Sequence, residues 1–232
     1  MLSEIVKNSL EASISSNSYM SPIAEKIVEL FQEIERVSDG EFESCCVKKK
    51  LLKGDYLLRQ GERTNKIWYI ETGIAHEYIQ KGKQILTLSF IFPNVFVDYF
   101  PSTIGGLPSP RNIRLLTDTE ILEIDHEQMM NIESIRSLIY ETRSYIAIYY
   151  NFELQERMFQ LQFLNAQERY ANLIERQPYL IKEIPSIYLA DYLGVSPETL
   201  SRIRSKSKLN KLFENKSTTD YVFEKREGKW KT

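Results

Sequence analysis

The residues with the most chemistry to offer lie between Ser196 and Lys216. There Arg202, Arg204, Lys206, Lys208, Lys211 and Lys216 stand against only Glu198 and Glu214, in a 232-residue chain whose formal net charge is −2. A cationic surplus confined to one stretch of an acidic body suits a protein that meets phosphate with one face. The residue types suit base reading as well. Arg donates two parallel bonds to guanine, Glu accepts from the amino group of cytosine, and Ser, Thr and Lys reach phosphate oxygens. Glu198, Ser201 and Arg202 are therefore base-edge candidates. Ser196, Thr199, Arg204, Lys206 and Lys208 are phosphate candidates, and Pro197 opens the helix that carries them. The competing reading is a helical hairpin with solvated charges; the agreement of cap, turn and apolar pattern favours DNA.

The stretch that must position these side chains runs from Ile184 to Lys206, IPSIYLADYLGVSPETLSRIRSK. Ile187, Leu189, Ala190 and Leu193 are apolar at helical spacing, and Gly194 can enter the left-handed conformation that ends a helix. Ser196 offers an N-cap hydroxyl, Pro197 fits the first helical position, and Glu198 complements the positive helix end. Leu200 and Ile203 are expected to face inward, with Thr199, Ser201, Arg202, Arg204 and Lys206 outward. Two short helices joined by a glycine turn form a helix-turn-helix, whose second helix enters the major groove.

Other chemistries find little support. Cys45 and Cys46 are the only cysteines, and on a strand they would point to opposite faces, which argues against pairing with each other. They cannot supply the four ligands of an iron–sulfur cluster. His76 and His126 are the only histidines and stand far apart, so a cupin-like metal site is not expected. Gly105-Gly106 lacks the preceding strand and following helix of a phosphate loop. No nucleophile elbow or paired-carboxylate signature appears, and no enzyme is expected.

The hydrophobic share of 42% and charged share of 27% are those of a globular protein able to bury a core. No apolar run approaches the ~18 residues of a membrane span, and MLSEIVKNSLEASISSNSYM carries no export signal. A cytoplasmic protein is expected. Ser21 to Val37 has the spacing of an amphipathic helix. From Phe42 to Asp125, short apolar or alternating runs are punctuated at Gly54, Gly61, Gly73 and Gly82, which predicts an antiparallel barrel or jelly roll of about eight strands. From Glu127 to Leu164 neither proline nor glycine intervenes. Ile132, Ile135, Leu138, Ile139, Ile146, Tyr149, Phe152, Phe159 and Phe163 form a loosely heptad-like stripe there. Such a stripe needs a partner, and a second copy of the chain supplies one economically. Ala166 to Glu175 predicts another helix, and TTDYVFEK beyond Leu212 has the alternation of a β wing.

Helix, glycine-punctuated roll, long helix and helix-turn-helix, in that order, resemble the Crp/Fnr family of bacterial transcription factors. The motifs that carry the resemblance are KGDYLLRQG…IWYIETG, LTDTEILEID and ADYLGVSPETLSRIR. It implies an α+β fold in three parts. Residues 1–126 would form an N-terminal helix and a cyclic-nucleotide-binding-like β-roll, residues 127–164 a dimerisation helix, and residues 165–232 a winged helix-turn-helix DNA-binding domain. It further implies a homodimer reading a palindromic double-stranded site, with Glu198 and Arg202 at base-reading positions and Pro197 where a basic residue would stand. RNA polymerase is a further candidate partner; a membrane is not.

The family's phosphate cassette is where the match departs. The cassette's glycine and glutamate fall on Val97 and Asp98, followed by Tyr99, and its arginine and serine fall on Ser109 and Pro110. The two hydroxyl residues that meet the purine fall on Leu154 and Gln155. Losing a charge-assisted phosphate contact argues against cyclic AMP, although Arg111 or Arg114 could substitute if the loop shifts register. No cofactor is expected, and an unidentified small effector stays open. The alternative function is a ligand-gated sensory module acting through protein partners.

Overall fold

The computed structural model describes residues 21–93, 95–176 and 180–209. The described residues divide into two compact units, with the boundary between Phe152 and Glu153.

In the first unit, eight strands are described: β1 (Cys46–Leu51), β2 (Tyr56–Leu58), β3 (Lys66–Thr72), β4 (Ala75–Lys81), β5 (Gln84–Ile91), β6 (Val95–Val97), β7 (Asn112–Leu115) and β8 (Thr119–Asp125). They form two four-stranded antiparallel sheets, ordered β1-β8-β3-β6 and β2-β7-β4-β5. The first sheet is apolar on both faces. Trp68, Ile70 and Ile121 pack inside the roll with Leu58, Ala75, Ile113 and Leu115. Ile67, Tyr69, Leu122 and Ile124 pack on the other side against Ile34, Phe42, Ile135 and Ile139. Burial on two sides is why β3 carries the unbroken apolar run Ile67, Trp68, Tyr69 and Ile70, where a half-solvated strand would alternate. The turn into β4 needs Gly73: its φ is +93°, and a Cβ there would lie 2.3 Å from Thr119 Oγ1.

The covering layer comes from α1 (Ser21–Ser38), α2 (Glu41–Ser44), α4 (His126–Asn131) and the start of α5 (Arg136–Phe163), with α3 (Phe100–Thr103) in the loop after β6. The helix expected to run unbroken from Glu127 does not. Asp125 caps α4 by accepting from the Gln128 amide, the chain turns extended at Ile132, and a 3-10 turn over Glu133–Ile135 precedes α5. The reason is geometric. Met129 and Ile135 are six residues apart, which in a continuous helix would place them roughly 120° apart. The break lets both enter one core beside Ile139. The cysteines also differ from two adjacent strand residues: Cys45 ends α2 and Cys46 begins β1. Both are free thiols, and burial pushes the Cys46 thiol up to about 12, far from the thiolate needed for redox chemistry.

The second unit holds the last turns of α5, then α6 (Ala166–Arg176), α7 (Leu180–Glu183), α8 (Ser186–Leu193) and α9 (Pro197–Leu209). Tyr170, Ile184, Leu189, Ala190, Leu193, Leu200 and Ile203 are buried. Ile187, expected among the apolar positions of α8, is instead 62% exposed. The segment that carries the proposed wing, 214–230, lies outside the described residues. Among the described residues, no helix is long and apolar enough to cross a membrane.

Candidate functional site

α8 ends and α9 begins by local rules. Gly194 takes φ +67°, and Ser196 Oγ accepts from the Thr199 amide at 3.2 Å, so the hydroxyl caps the first turn of α9. Leu200 and Ile203 are buried, and this fixes which side of α9 faces solvent. Ser196, Pro197, Glu198, Ser201, Arg202 and Lys206 are exposed and Thr199 is half-buried. Residues 198, 201, 202 and 205 fall at i, i+3, i+4 and i+7, so they share one face. The Glu198 carboxyl is held below the ordinary carboxylate range by its own backbone N–H, by Ser196 and by Arg202, and it stays an acceptor at neutral pH. Arg204 departs from the outward expectation: it is half-buried, and its Nη1 donates to Ser186 Oγ on α8 at 2.7 Å. The Lys208 side chain lies outside the described residues.

Two arginines beneath this turn were not singled out in the sequence. Arg157, near the end of α5, donates to the Tyr192 carbonyl and stacks its guanidinium 3.9 Å from the Tyr192 ring centre. Arg169 of α6 donates to the carbonyls of Leu193 at 3.0 Å and Leu164 at 2.5 Å. Neither belongs to a motif, so no sequence signal marks them.

The roll's candidate residues are dispersed. Val97 is buried among the inner residues of the roll. Tyr99 lies beside the Arg111 guanidinium, 5.3 Å from ring centre to Cζ. Ser109 is buried, with its hydroxyl both donating to the Arg111 carbonyl and accepting from the Arg111 amide. Arg111 Nη1 donates to Glu77 at 2.5 Å, and Glu77 also accepts from Ser89. Arg111 Nε is buried without a hydrogen-bond partner. Arg114 is exposed and donates to the Gly54 carbonyl near the Tyr56 ring. In the second unit, Leu154 and Gln155 are exposed.

Asp98, in place of the cassette glutamate, reaches the long helix. Its carboxylate accepts from Arg143 Nη2 at 2.9 Å and from Thr103 Oγ1 at 2.8 Å, and both partners of the ion pair are only 10% exposed. Burial raises the Asp98 carboxyl above its ordinary value, against the opposing pull of Arg143 and Thr103. Arg143 Nη1 lies 2.8 Å from His126 Nε2. A guanidinium has only donors, so His126 must present a lone pair there. Beside the pair is a cavity of about 60 Å³ lined by Phe31, Phe96, Phe100, Ile139 and Tyr150 among others. Among the described residues, no three His, Cys, Asp or Glu side chains converge to hold a metal.

No curated protein matches the sequence. Residues 48–134 match the model of the cyclic nucleotide-binding domain. The fold resembles that of FixK2 from Bradyrhizobium japonicum, with 16% identity, TM-score 0.58, and coverage of 71% of this chain and 85% of that one. It resembles the c-di-GMP-responsive global regulator CLP of Xanthomonas campestris, with 17% identity, TM-score 0.56, and coverage of 74% and 91%. A Crp/Fnr-family transcriptional regulator from Eubacterium rectale gives 15% identity, TM-score 0.59, and coverage of 78% and 86%. Residues 48–134 thus resemble a cyclic nucleotide-binding domain, and the chain shares the fold of these transcription regulators, the Crp/Fnr-family one included.

Proposed function

We propose that this protein is a non-enzymatic, homodimeric transcription regulator that reads a two-fold symmetric duplex through α9 and is not gated by cyclic AMP. The observation that carries the reading is the exposed face of Glu198, Ser201 and Arg202 at the start of α9, held outward by buried Leu200 and Ile203. The fold shared with known regulators supports it. Base contacts from Glu198, Ser201 and Arg202 give sequence preference, while Ser196, Thr199, Lys206 and Lys208 set register through phosphate. Leu154 at 63%, Met158 at 58% and Phe163 at 72% exposure are apolar surface that a second copy would cover.

Against a cyclic-AMP switch stand the cassette substitutions and their engagements: Asp98 is committed to Arg143 and the Ser109 hydroxyl to the Arg111 backbone. The buried, unpartnered Arg111 Nε supports a second version of regulation, in which a different small anion enters the roll. Selection from a random duplex pool, without added ligand, tests the reading. Enrichment of a palindromic site by the free protein supports it, and absence of binding even at low salt rejects it. Adding cyclic AMP should leave the affinity unchanged. A screen of small anions by thermal shift, repeated on Arg111→Gln, tests the second version.

A further inference from the structure

A helix ends with four backbone carbonyls that find no partner inside it. For α8 each of the four has an identifiable donor. The Val195 amide takes the Ala190 carbonyl and the Gly194 amide takes that of Asp191, the paired bonds of a glycine-ended helix. The last two go to side chains from other helices: Tyr192 to Arg157 and Leu193 to Arg169. These are charge-assisted bonds, placed at the negative end of the helix dipole.

The source of the two guanidiniums gives the arrangement its meaning. Arg157 projects from the closing turns of the long helix, and its plane also lies against the Tyr192 ring. Arg169 is two-pronged: while one nitrogen holds Leu193, another holds the Leu164 carbonyl, one residue past the end of that same long helix. A Cβ added at Gly194 would sit 3.9 Å from both Arg169 Nη2 and Leu161. The turn before α9 is thus seated directly on the end of the long helix.

We propose that Arg157 and Arg169 are positioning residues for DNA reading, clamping the turn to the long helix so that the two reading helices of a dimer keep a fixed separation and tilt. The inference rests on the DNA-binding, dimeric reading above. Neither arginine touches DNA. Their work is to hold the last turns of the long helix and α9 together, so that half-site spacing does not depend on the flexibility of the turn.

The test uses the full chain, its selected palindrome, and variants of that palindrome with the centre lengthened or shortened by one base pair. Wild-type protein should prefer the selected spacing sharply. Arg157→Gln and Arg169→Gln should each bind the selected site about tenfold more weakly. They should also lose most of their discrimination between spacings, while affinity for random duplex and its salt dependence stay as in wild type. Arg157→Lys, which keeps one charged donor for Tyr192, should recover part of the spacing preference. A merely structural cap would lower affinity for all spacings together, so folded glutamine variants that retain the wild-type spacing preference would overturn the proposal. Should either glutamine variant fail to fold, as judged by thermal melting, Arg157→Met and Arg169→Met, which keep the side-chain length but donate to neither carbonyl, decide the matter by the same ratio. If wild-type protein selects no symmetric site, the DNA reading itself has failed and the clamp falls with it, an outcome distinct from loss of spacing preference in the variants alone.

Discussion

Arg202 and Lys206 stand one helical turn apart on the exposed side of α9, yet their removal should be felt differently. If α9 reads DNA as proposed, Arg202→Ala should remove a two-pronged base contact and cost about 1–3 kcal/mol at the selected site, relaxing preference at one base position. Competition binding against single-position site variants measures it, and equal loss on every sequence would assign Arg202 to phosphate. His126 makes a prediction of another kind. Burial, then the Arg143 charge, lowers its pKa from the ordinary 6.5. The folded state therefore binds fewer protons than the unfolded one in that range, so stability is fully present above about pH 6.5 and is lost as pH falls toward the folded value. Asp98, with its pKa raised, acts in the opposite sense at lower pH. Between pH 7.5 and 5.5, wild-type Tm should fall further than that of His126→Gln, which accepts from Arg143 without titrating. Parallel melting curves would remove His126 from the linkage.

At the scale of elements, two glycine turns should respond unequally. Gly194→Ala meets only ordinary contacts, so its cost is the left-handed backbone alone, about 1 kcal/mol. Gly73→Ala adds a steric collision with Thr119 and the Asp118 carbonyl and should cost visibly more in urea denaturation. The long helix carries a prediction about assembly. Leu154→Glu combined with Met158→Glu places charge on two exposed apolar positions, so it should barely alter the stability of one subunit. It should shift the sedimenting species from dimer to monomer; a wild-type monomer would reject the dimer helix.

For the whole molecule, an acidic chain that binds an acidic polymer must do so through a local field, and salt reports its size. Each phosphate contact contributes about 0.9 to the slope of log affinity against log salt. On the proposed dimeric reading, Lys206→Ala should remove one contact per subunit and flatten the slope by about 2. An unchanged slope would place Lys206 away from the phosphates.

What the sequence determined by itself is what local rules govern. The Gly194 turn, the Ser196 cap, the burial of Leu200 and Ile203, and the succession of short strands all follow from dihedral preferences and periodicities a few residues long. Tertiary structure decided the rest, because its causes are distant in the chain. The break at Ile132 exists so that Met129 and Ile135 can share a core with β-strand residues, a demand invisible in an uninterrupted helical pattern. Asp98 finds Arg143 across 45 residues, Tyr192 finds Arg157 across 35, and Leu193 finds Arg169 across 24. Arg204, outward by periodicity, turns to Ser186 because α8 brings an acceptor beside it. A charged side chain's spacing fixes the face it starts from, but only the packed neighbours decide which partner it takes.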